Sequence, residues 1–293
     1  MSYIDKKNTL IHYLNELMEK PVIVAFSGGV DSSLLLKLCC EAAQKTNQAI
    51  HAVTIHSKLH PFGDLEIAKR VAEETGAIHH IIQVDELEAA GIRFNPPDRC
   101  YLCKKHLFSQ LKDKANTLGT DTIIEGTNAD DLLVYRPGIR ALKELGILSP
   151  LAVIGMSKEE VRKMASEYGI SVSNRPSAPC MATRFPYGTE LDYAVIRKVE
   201  QCENWLKDQG FYNVRIRVHD TIARIEIDPD QMTSFLSRRE EILSAMKVGG
   251  FDYITLDLEG FRSGSMDLKI APSRSPSSSG STRDTSRNPQ SQE

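Results

Sequence analysis

A chain of 293 residues, 41% hydrophobic and 26% charged, has the composition of a soluble globular protein, and its length lies where single cores stop growing, so two domains are expected. The net charge of −3 excludes a surface generally suited to coating nucleic acid, although a local basic groove stays possible. No apolar run reaches the roughly 18–20 residues that span a bilayer and "MSYIDKKNTL" has no apolar signal core; the expectation is a cytoplasmic protein whose six cysteines serve packing, catalysis or metal binding rather than disulfides.

The first half alternates short apolar runs with helical patterns. "PVIVAF" (21–26) reads as a buried strand and "SSLLLKLCCEAA" as the helix after it. "AIHAVTI" (49–55), "IHHIIQV" (78–84) and "DTIIEGT" (121–127) are further strands, separated by helices at 65–77 and 104–118. This alternation predicts an α/β fold with a doubly wound parallel sheet. Ligands bind such sheets beyond the strands' carboxyl ends, where "SGGVDSS", "HSKLHP" and "EGTNADD" fall. Ser157 and Glu160 in "SKEE" form a capping box for a helix that stops at Gly169. The proline-rich connection 172–188 then marks a boundary. Beyond it, a helix at 190–209, strands at 213–219 and 222–228, a helix at 230–247 and a strand at 251–258 make a smaller C-terminal α+β domain. Residues 269–293, rich in Ser and Pro, bury too little surface to order themselves and read as a disordered tail.

The turn after the first strand is a candidate phosphate loop. Gly28 and Gly29 allow a tight turn and a close ligand approach. The following helix offers unpaired N–H groups and a positive dipole end to an anion, and Ser27, Ser32 and Ser33 add hydroxyl donors. Asp31 would repel a bare phosphate, so its presence implies Mg²⁺. The Walker pattern requires a lysine after the last glycine, and none is present. An ordinary βα turn is the alternative, though the complete SGGVDS string is far more specific.

Cys100 and Cys103 form a C-x-x-C at the start of a helix, where the helix N-terminus and Arg99, Lys104 and Lys105 are expected to lower the thiol pKa values. Cys180 sits between prolines in "SNRPSAPCMATRFPYG". Cys39, Cys40 and Cys202 fall in helical patterns and read as packing or surface residues. Three loop-borne thiolates suit a [4Fe–4S] cluster with one iron lacking a protein ligand. A redox CxxC, a zinc site completed by His106 and Cys180 as a lone nucleophile stay open. Asn128 and Asp131 follow the fourth strand where the open sheet would meet ATP, unless they are a turn-forming pair; Asp131 would aid Mg²⁺ or adenine-side contacts. Arg215 and Arg217 alternate on a strand and so share a face, which suits a substrate phosphate or a solvated face. Arg184 is placed to position an anionic substrate or ATP. His56 and His60 flank the second strand's end and receive no assignment.

SGGVDS resembles the PP-loop ATP pyrophosphatases, which split ATP between the α- and β-phosphates and adenylate a substrate oxygen. "EGTNADD", "YRPG", "C-x-x-x-RFPYGT", "VRIRVHDTIARIEI" and "YITLDLEGFRSGSM" extend the likeness to the LarE family over about residues 8–267. These are pyridinium-3,5-bisthiocarboxylic acid mononucleotide synthases, ATP-dependent sulfur transferases that serve the nickel-pincer cofactor. The resemblance implies an adenine nucleotide alpha hydrolase-like domain at 1–172 and a substrate-binding and oligomerisation domain at 173–268. It implies a dicarboxylated pyridinium mononucleotide as substrate, with each carboxylate adenylated, sulfur delivered from sulfide or another donor, AMP and pyrophosphate released, and a homo-oligomeric assembly. Cys180 matches the family's sulfur-donating position. One version of the family sacrifices that cysteine, which ends as dehydroalanine; the other holds a cluster on three cysteines, and Cys100 and Cys103 favour the second. The pair matching Arg215 and Arg217 is associated with the mononucleotide phosphate, and Glu203 and Glu226 match acidic positions near the site, or are surface charges. The rivals are a tRNA thiolase, an amide-forming synthetase, and a nucleotide-binding or iron–sulfur redox sensor without catalysis.

Overall fold

The computed structural model describes residues 1–44, 48–134, 136–176, 178–262 and 266; the expected disordered tail lies outside the described residues. The elements run α1 (Tyr3–Leu17), β1 (Val22–Ala25), α2 (Val30–Gln44), β2 (His51–Ser57), α3 (Asp64–Thr75), β3 (Ile78–Val84), α4 (Glu86–Ala89), α5 (Arg99–Thr117), β4 (Thr122–Ile124), α6 (Gly138–Glu144), α7 (Pro150–Ile154) and α8 (Lys158–Glu167). There follow α9 (Tyr193–Asp208), β5 (Arg215–His219), β6 (Ile222–Glu226), α10 (Met232–Ser237), α11 (Arg239–Val248) and β7 (Tyr253–Leu256). Among the described residues no helix is long and apolar enough to cross a membrane.

The alternating first half folds as the sequence predicts, into a parallel sheet of order β3-β2-β1-β4. Helices cover both faces, which explains why β1 is apolar without interruption. Val22 and Val24 join a core with Leu10, Leu14, Leu34, Leu35 and Val161, while Ile23 faces Val53, Leu107, Leu111 and Ile123 on the other side. Winding reverses between β1 and β4, so the turns after these strands stand side by side at a switch point. The Ser157–Glu160 capping box opens α8 as expected, and a second box, Ser2–Asp5, opens α1, which the reading by runs did not foresee. The single helix expected over 230–247 is instead a short 3₁₀ turn followed by α10 and α11, broken at Arg238.

The second sheet has order β5-β6-β7, with β5–β6 antiparallel and β6–β7 parallel across the α10–α11 crossover. Its core takes Ile216, Val218, Ile225 and Leu206, and also Leu59, Leu87 and Ile92 from the first half. The connection 172–188 runs along that junction. Met181 N–H donates to the Leu59 carbonyl at 2.8 Å, and Gly188 N–H to the Asn95 carbonyl at 3.1 Å.

Candidate active site

β1 ends into Ser27, and Gly28 turns the chain at φ +69°. A Cβ there would sit 2.9 Å from the Ala68 backbone, so both the conformation and the space demand glycine. The Ser27 and Ser32 hydroxyls share a hydrogen bond at 3.2 Å, and Ser32 Oγ donates to the Gly29 carbonyl at 3.2 Å. Ser32 and Ser33 are buried beneath the loop, and the Ser33 hydroxyl has no hydrogen-bond partner among the described residues. The neighbouring loop after β4 approaches so closely that a Cβ on Gly126 would meet Ser32 N at 2.9 Å. Asn128 Nδ2 donates to Asp31 Oδ1 at 3.0 Å, and Asn128 Oδ1 accepts the Asp130 and Asp131 N–H groups at 3.0 and 3.2 Å. Asn128 is therefore both a turn former and a support for Asp31. Asp131 bonds the Asn128 N–H at 3.2 Å and Arg136 at 2.9 Å.

A pocket opens over this loop, lined by Ser27, Gly29, Val30, Asp31, Thr54, Ile55, His56, His60, Asp64, Leu65, Lys158, Arg175, Pro176 and Ala178. Both histidines of "HSKLH" thus reach it, and burial lowers the pKa of His60, which favours the neutral ring. Lys158 forms an ion pair with Asp31. No local pattern announces this lysine, because only the packing of α8 against α2 brings it there.

Cys100 and Cys103 lie in the first turns of α5, and Cys180 comes from the connection. Cys103 and Cys180 pack against the same core; negative charge on Cys180 or Cys100 acts on Cys103, and charge on Cys100 acts on Cys180. Asn95 and Arg99 hold these segments together. Asn95, at φ 47°, donates to the Phe185 and Pro186 carbonyls at 3.0 and 2.8 Å. The buried Arg99 bonds Asn95 Oδ1, the Ala182 carbonyl at 3.3 Å and Cys100 Sγ at 3.7 Å. The expected lowering of the thiol pKa is reversed at Cys103, and Cys180 is raised as well. Burial pushes Cys103 and Cys180 up, and the Arg99 charge only partly opposes it. Lys104 and Lys105 do not help, since they turn to Glu125 at 3.9 Å and Glu144 at 3.1 Å. Among the described residues no group of three or more His, Cys, Asp or Glu side chains is arranged to hold a metal ion.

Beyond the thiols, the basic and acidic residues of the second half interlock. Arg184 donates to Glu203 through Nε at 2.9 Å and Nη2 at 2.8 Å, with 3% and 2% of the two side chains exposed. Glu203 also accepts the Ile216 N–H at 2.9 Å. Burial would raise its pKa, but Arg184 holds the carboxyl below the ordinary range. Arg217 binds Glu226 at 3.0 and 2.9 Å and the Thr183 carbonyl at 2.9 Å; Arg224 reaches Glu226 at 3.2 Å. Arg215 shares the Arg217 face but pairs with no carboxylate within 4.0 Å among the described residues. Its guanidinium lies over the Phe261 ring at 5.1 Å, and burial, then Arg184, lower its pKa. Lys207, one turn beyond Glu203 on α9, is likewise lowered by burial.

A parallel sheet whose first strand runs into an SGGVDS turn, with a pocket over that turn, is the ATP-using half of a PP-loop enzyme, and residues 16–101 match the asparagine synthase family. A pyridinium-3,5-bisthiocarboxylic acid mononucleotide synthase of Lactiplantibacillus plantarum is 37% identical, over 89% of this chain and 94% of that protein. An uncharacterized Synechocystis protein is 38% identical over 84% and 91% of the two chains. A tRNA-specific 2-thiouridylase of Rickettsia bellii is 25% identical over 55% and 53%. The chain belongs to the LarE family of ATP-dependent sulfur transferases.

Proposed function

We propose that the protein adenylates the carboxylates of a pyridinium-3,5-dicarboxylate mononucleotide and converts them to thiocarboxylates for the nickel-pincer nucleotide cofactor, with residues 1–172 binding ATP and 173–268 binding the mononucleotide and a second copy. The observation that carries this reading is the gathering of Cys100, Cys103 and Cys180 at the junction between the SGGVDS pocket and the Arg/Glu cluster. The relative whose name states this activity covers nearly the whole chain, which supports both halves of the reading.

A substrate carboxylate oxygen attacks the α-phosphorus, the bond to the β-phosphate oxygen breaks, and pyrophosphate leaves with the electron pair. Ser27, Gly28, Gly29 and the α2 N-terminus, with Ser32 and Ser33 beneath, hold that leaving group through N–H and O–H donors. Asp31, kept in place by Asn128, would hold Mg²⁺, which would shield the phosphate charge, and Asp131 steadies the same loop. Arg215 takes the mononucleotide phosphate, with Arg217 and Arg184 fixed beside it by Glu226 and Glu203. Sulfur then bonds to the carbonyl carbon, and AMP leaves with the electrons of the broken C–O bond.

Although the three thiols are not set as a ready-made metal site among the described residues, three cysteines in one region suit a [4Fe–4S] cluster with one open iron better than a four-coordinate zinc. Bound to Cys100, Cys103 and Cys180, such a cluster supplies an exchangeable sulfide. Arg99 and Asn95 hold the two ligand segments in register, and the shared core around Cys103 and Cys180 limits water. Anaerobic reconstitution with iron and sulfide, followed by assay of pyrophosphate, AMP and thiocarboxylate from the pyridinium dicarboxylate mononucleotide, tests the reading. Iron bound with repeated turnover is expected, with iron and thiocarboxylate both lost on replacing any of the three cysteines by alanine. Dehydroalanine at position 180 after a single turnover would establish sacrificial donation instead. No pyrophosphate release with this substrate would overturn the adenylation reading.

A further inference from the structure

Away from the candidate active site, β2 and β3 carry a pair of histidines that the proposed reaction does not use. The register sets His51 against Ile78 and His80 against Val53, so the two histidines stand diagonally on one face of the sheet. It is the face on which Val53 packs against Leu107, Leu111 and Ala115 of α5. His51 Nδ1 and His80 Nε2 are 2.9 Å apart, with the ring centroids at 5.1 Å and the planes tilted by 41°. Both side chains are half-buried, held in place yet reachable from solvent. The neighbouring His79 turns to the opposite face, where its Nε2 lies 2.8 Å from Thr54 Oγ1, and takes no part.

Two imidazole nitrogens aimed at one another can share a proton or a metal ion, and their spacing selects the ion. With metal–nitrogen bonds of about 2.0–2.1 Å, a right angle at the metal separates the two nitrogens by about 2.9 Å, whereas a tetrahedral angle needs about 3.3–3.4 Å. The observed 2.9 Å suits adjacent positions on an octahedral or square-planar ion rather than on tetrahedral zinc. Ligation also requires neutral rings. Burial, and then Lys114 of α5, lower the His80 pKa, so that ring offers a lone pair at neutral pH. The Lys114 ammonium opposes a cation here, although its flexible stem lets it turn to water. Among the described residues no group of three or more His, Cys, Asp or Glu side chains forms around a metal position, so water completes the coordination.

We propose that His51 and His80 form a two-point chelate for a late first-row divalent ion, Ni²⁺ or Cu²⁺, which ties the edge strand β3 to β2. Each ring gives the metal one lone pair. The proton shared between them moves through water to the outer nitrogen of the ring that carried it, so both rings stay neutral. Because the two nitrogens meet only when β2 and β3 are paired, the ion stabilises the folded sheet by mass action.

The test is anaerobic calorimetric titration of Ni²⁺ and Zn²⁺ into the full chain and into His51→Gln, His80→Gln, Cys180→Ala and Lys114→Gln. Ni²⁺ is the probe because Cu²⁺ would oxidise the thiols. Affinity for Ni²⁺ should fall about ten-fold or more in either histidine variant, since a single imidazole then replaces a chelate, and Cys180→Ala should leave this site unchanged. Ni²⁺ should raise the thermal unfolding midpoint of Cys180→Ala, and the rise should vanish when either histidine is replaced in that background. Lys114→Gln gives an independent reading because it removes the opposing charge: Ni²⁺ should bind more tightly, and weaker binding would contradict a cation beside His80. Unchanged Ni²⁺ affinity in both histidine variants, or loss of Ni²⁺ in Cys180→Ala alone, overturns the chelate. Histidine-dependent binding of Zn²⁺ tighter than that of Ni²⁺ overturns the right-angle geometry and the class of ion with it.

Discussion

Carboxylate–cation pairs stand at both ends of the candidate active site, but the two ends use them differently. At the nucleotide end, Asp31–Lys158 and Asp64–Arg175 are partly exposed. At the end proposed for the mononucleotide, Arg184–Glu203 and Arg217–Glu226 are 6% exposed or less, and each carries further backbone hydrogen bonds. A pair open to solvent can trade partners with a ligand at small cost. A sealed pair is expensive to break, since either survivor is left charged in a poorly solvated place. The sealed pairs therefore act as scaffold, and the net positive charge left there belongs to Arg215 and Lys207, which have no sealed carboxylate of their own among the described residues.

The most severe way to break this contrast is Glu203→Ala. It strands the Arg184 guanidinium and frees the Ile216 N–H, so unfolding free energy should fall by about 3–5 kcal/mol, read by urea denaturation. Arg184→Met should cost a comparable amount, and the double variant much less than the sum of the two, because the second change removes the group that the first left unpaired. Additive losses would show that the two side chains act separately.

How much of this was legible beforehand follows the same division. The phosphate loop could be read because its determinants are local: a strand, two glycines and a helix start lie within a dozen consecutive residues, and Gly28 is required by its own φ and by Ala68. The parallel sheet was legible from β1, whose unbroken apolar run matches burial on both faces. The face shared by Arg215 and Arg217 was legible from strand periodicity. The partners of Arg184 and Arg217 were not, because Glu203 and Glu226 reach them through α9 and β6, and no spacing in the chain encodes that packing. Lys158 escaped functional notice for the same reason. The thiol pKa of Cys103 was misjudged because a helix N-terminus and nearby cations can be read from sequence, while burial, the larger effect there, cannot.

A smaller effect separates the two ends by pH. Arg184 depresses the Glu203 pKa in the folded protein. The stability this pair contributes is fully present above the unfolded value near pH 4.3, and it is lost as pH falls through the lower folded value. Unfolding free energy measured from pH 6 downward should therefore drop more steeply in the wild type than in Glu203→Gln, which has no carboxyl to protonate there. Parallel pH profiles would show that the pair does not couple to folding.

The smallest effect belongs to the nucleotide end and decides whether the contrast is real. Asp64→Asn removes a carboxylate that lies 2.5 Å from Arg175, as close a contact as the structure gives the sealed pairs or closer. Distance alone would make its loss as costly as that of Glu203. Exposure argues otherwise: water reaches the freed Arg175, no backbone donor of Asp64 is left unpaired by the change, and the isosteric amide still accepts a hydrogen bond. Unfolding free energy should change by less than about 1 kcal/mol, measured in the same urea titrations as Glu203→Ala. A loss approaching that of Glu203→Ala would mean that the Asp64 pair is scaffold as well, and that exposure does not separate the two ends.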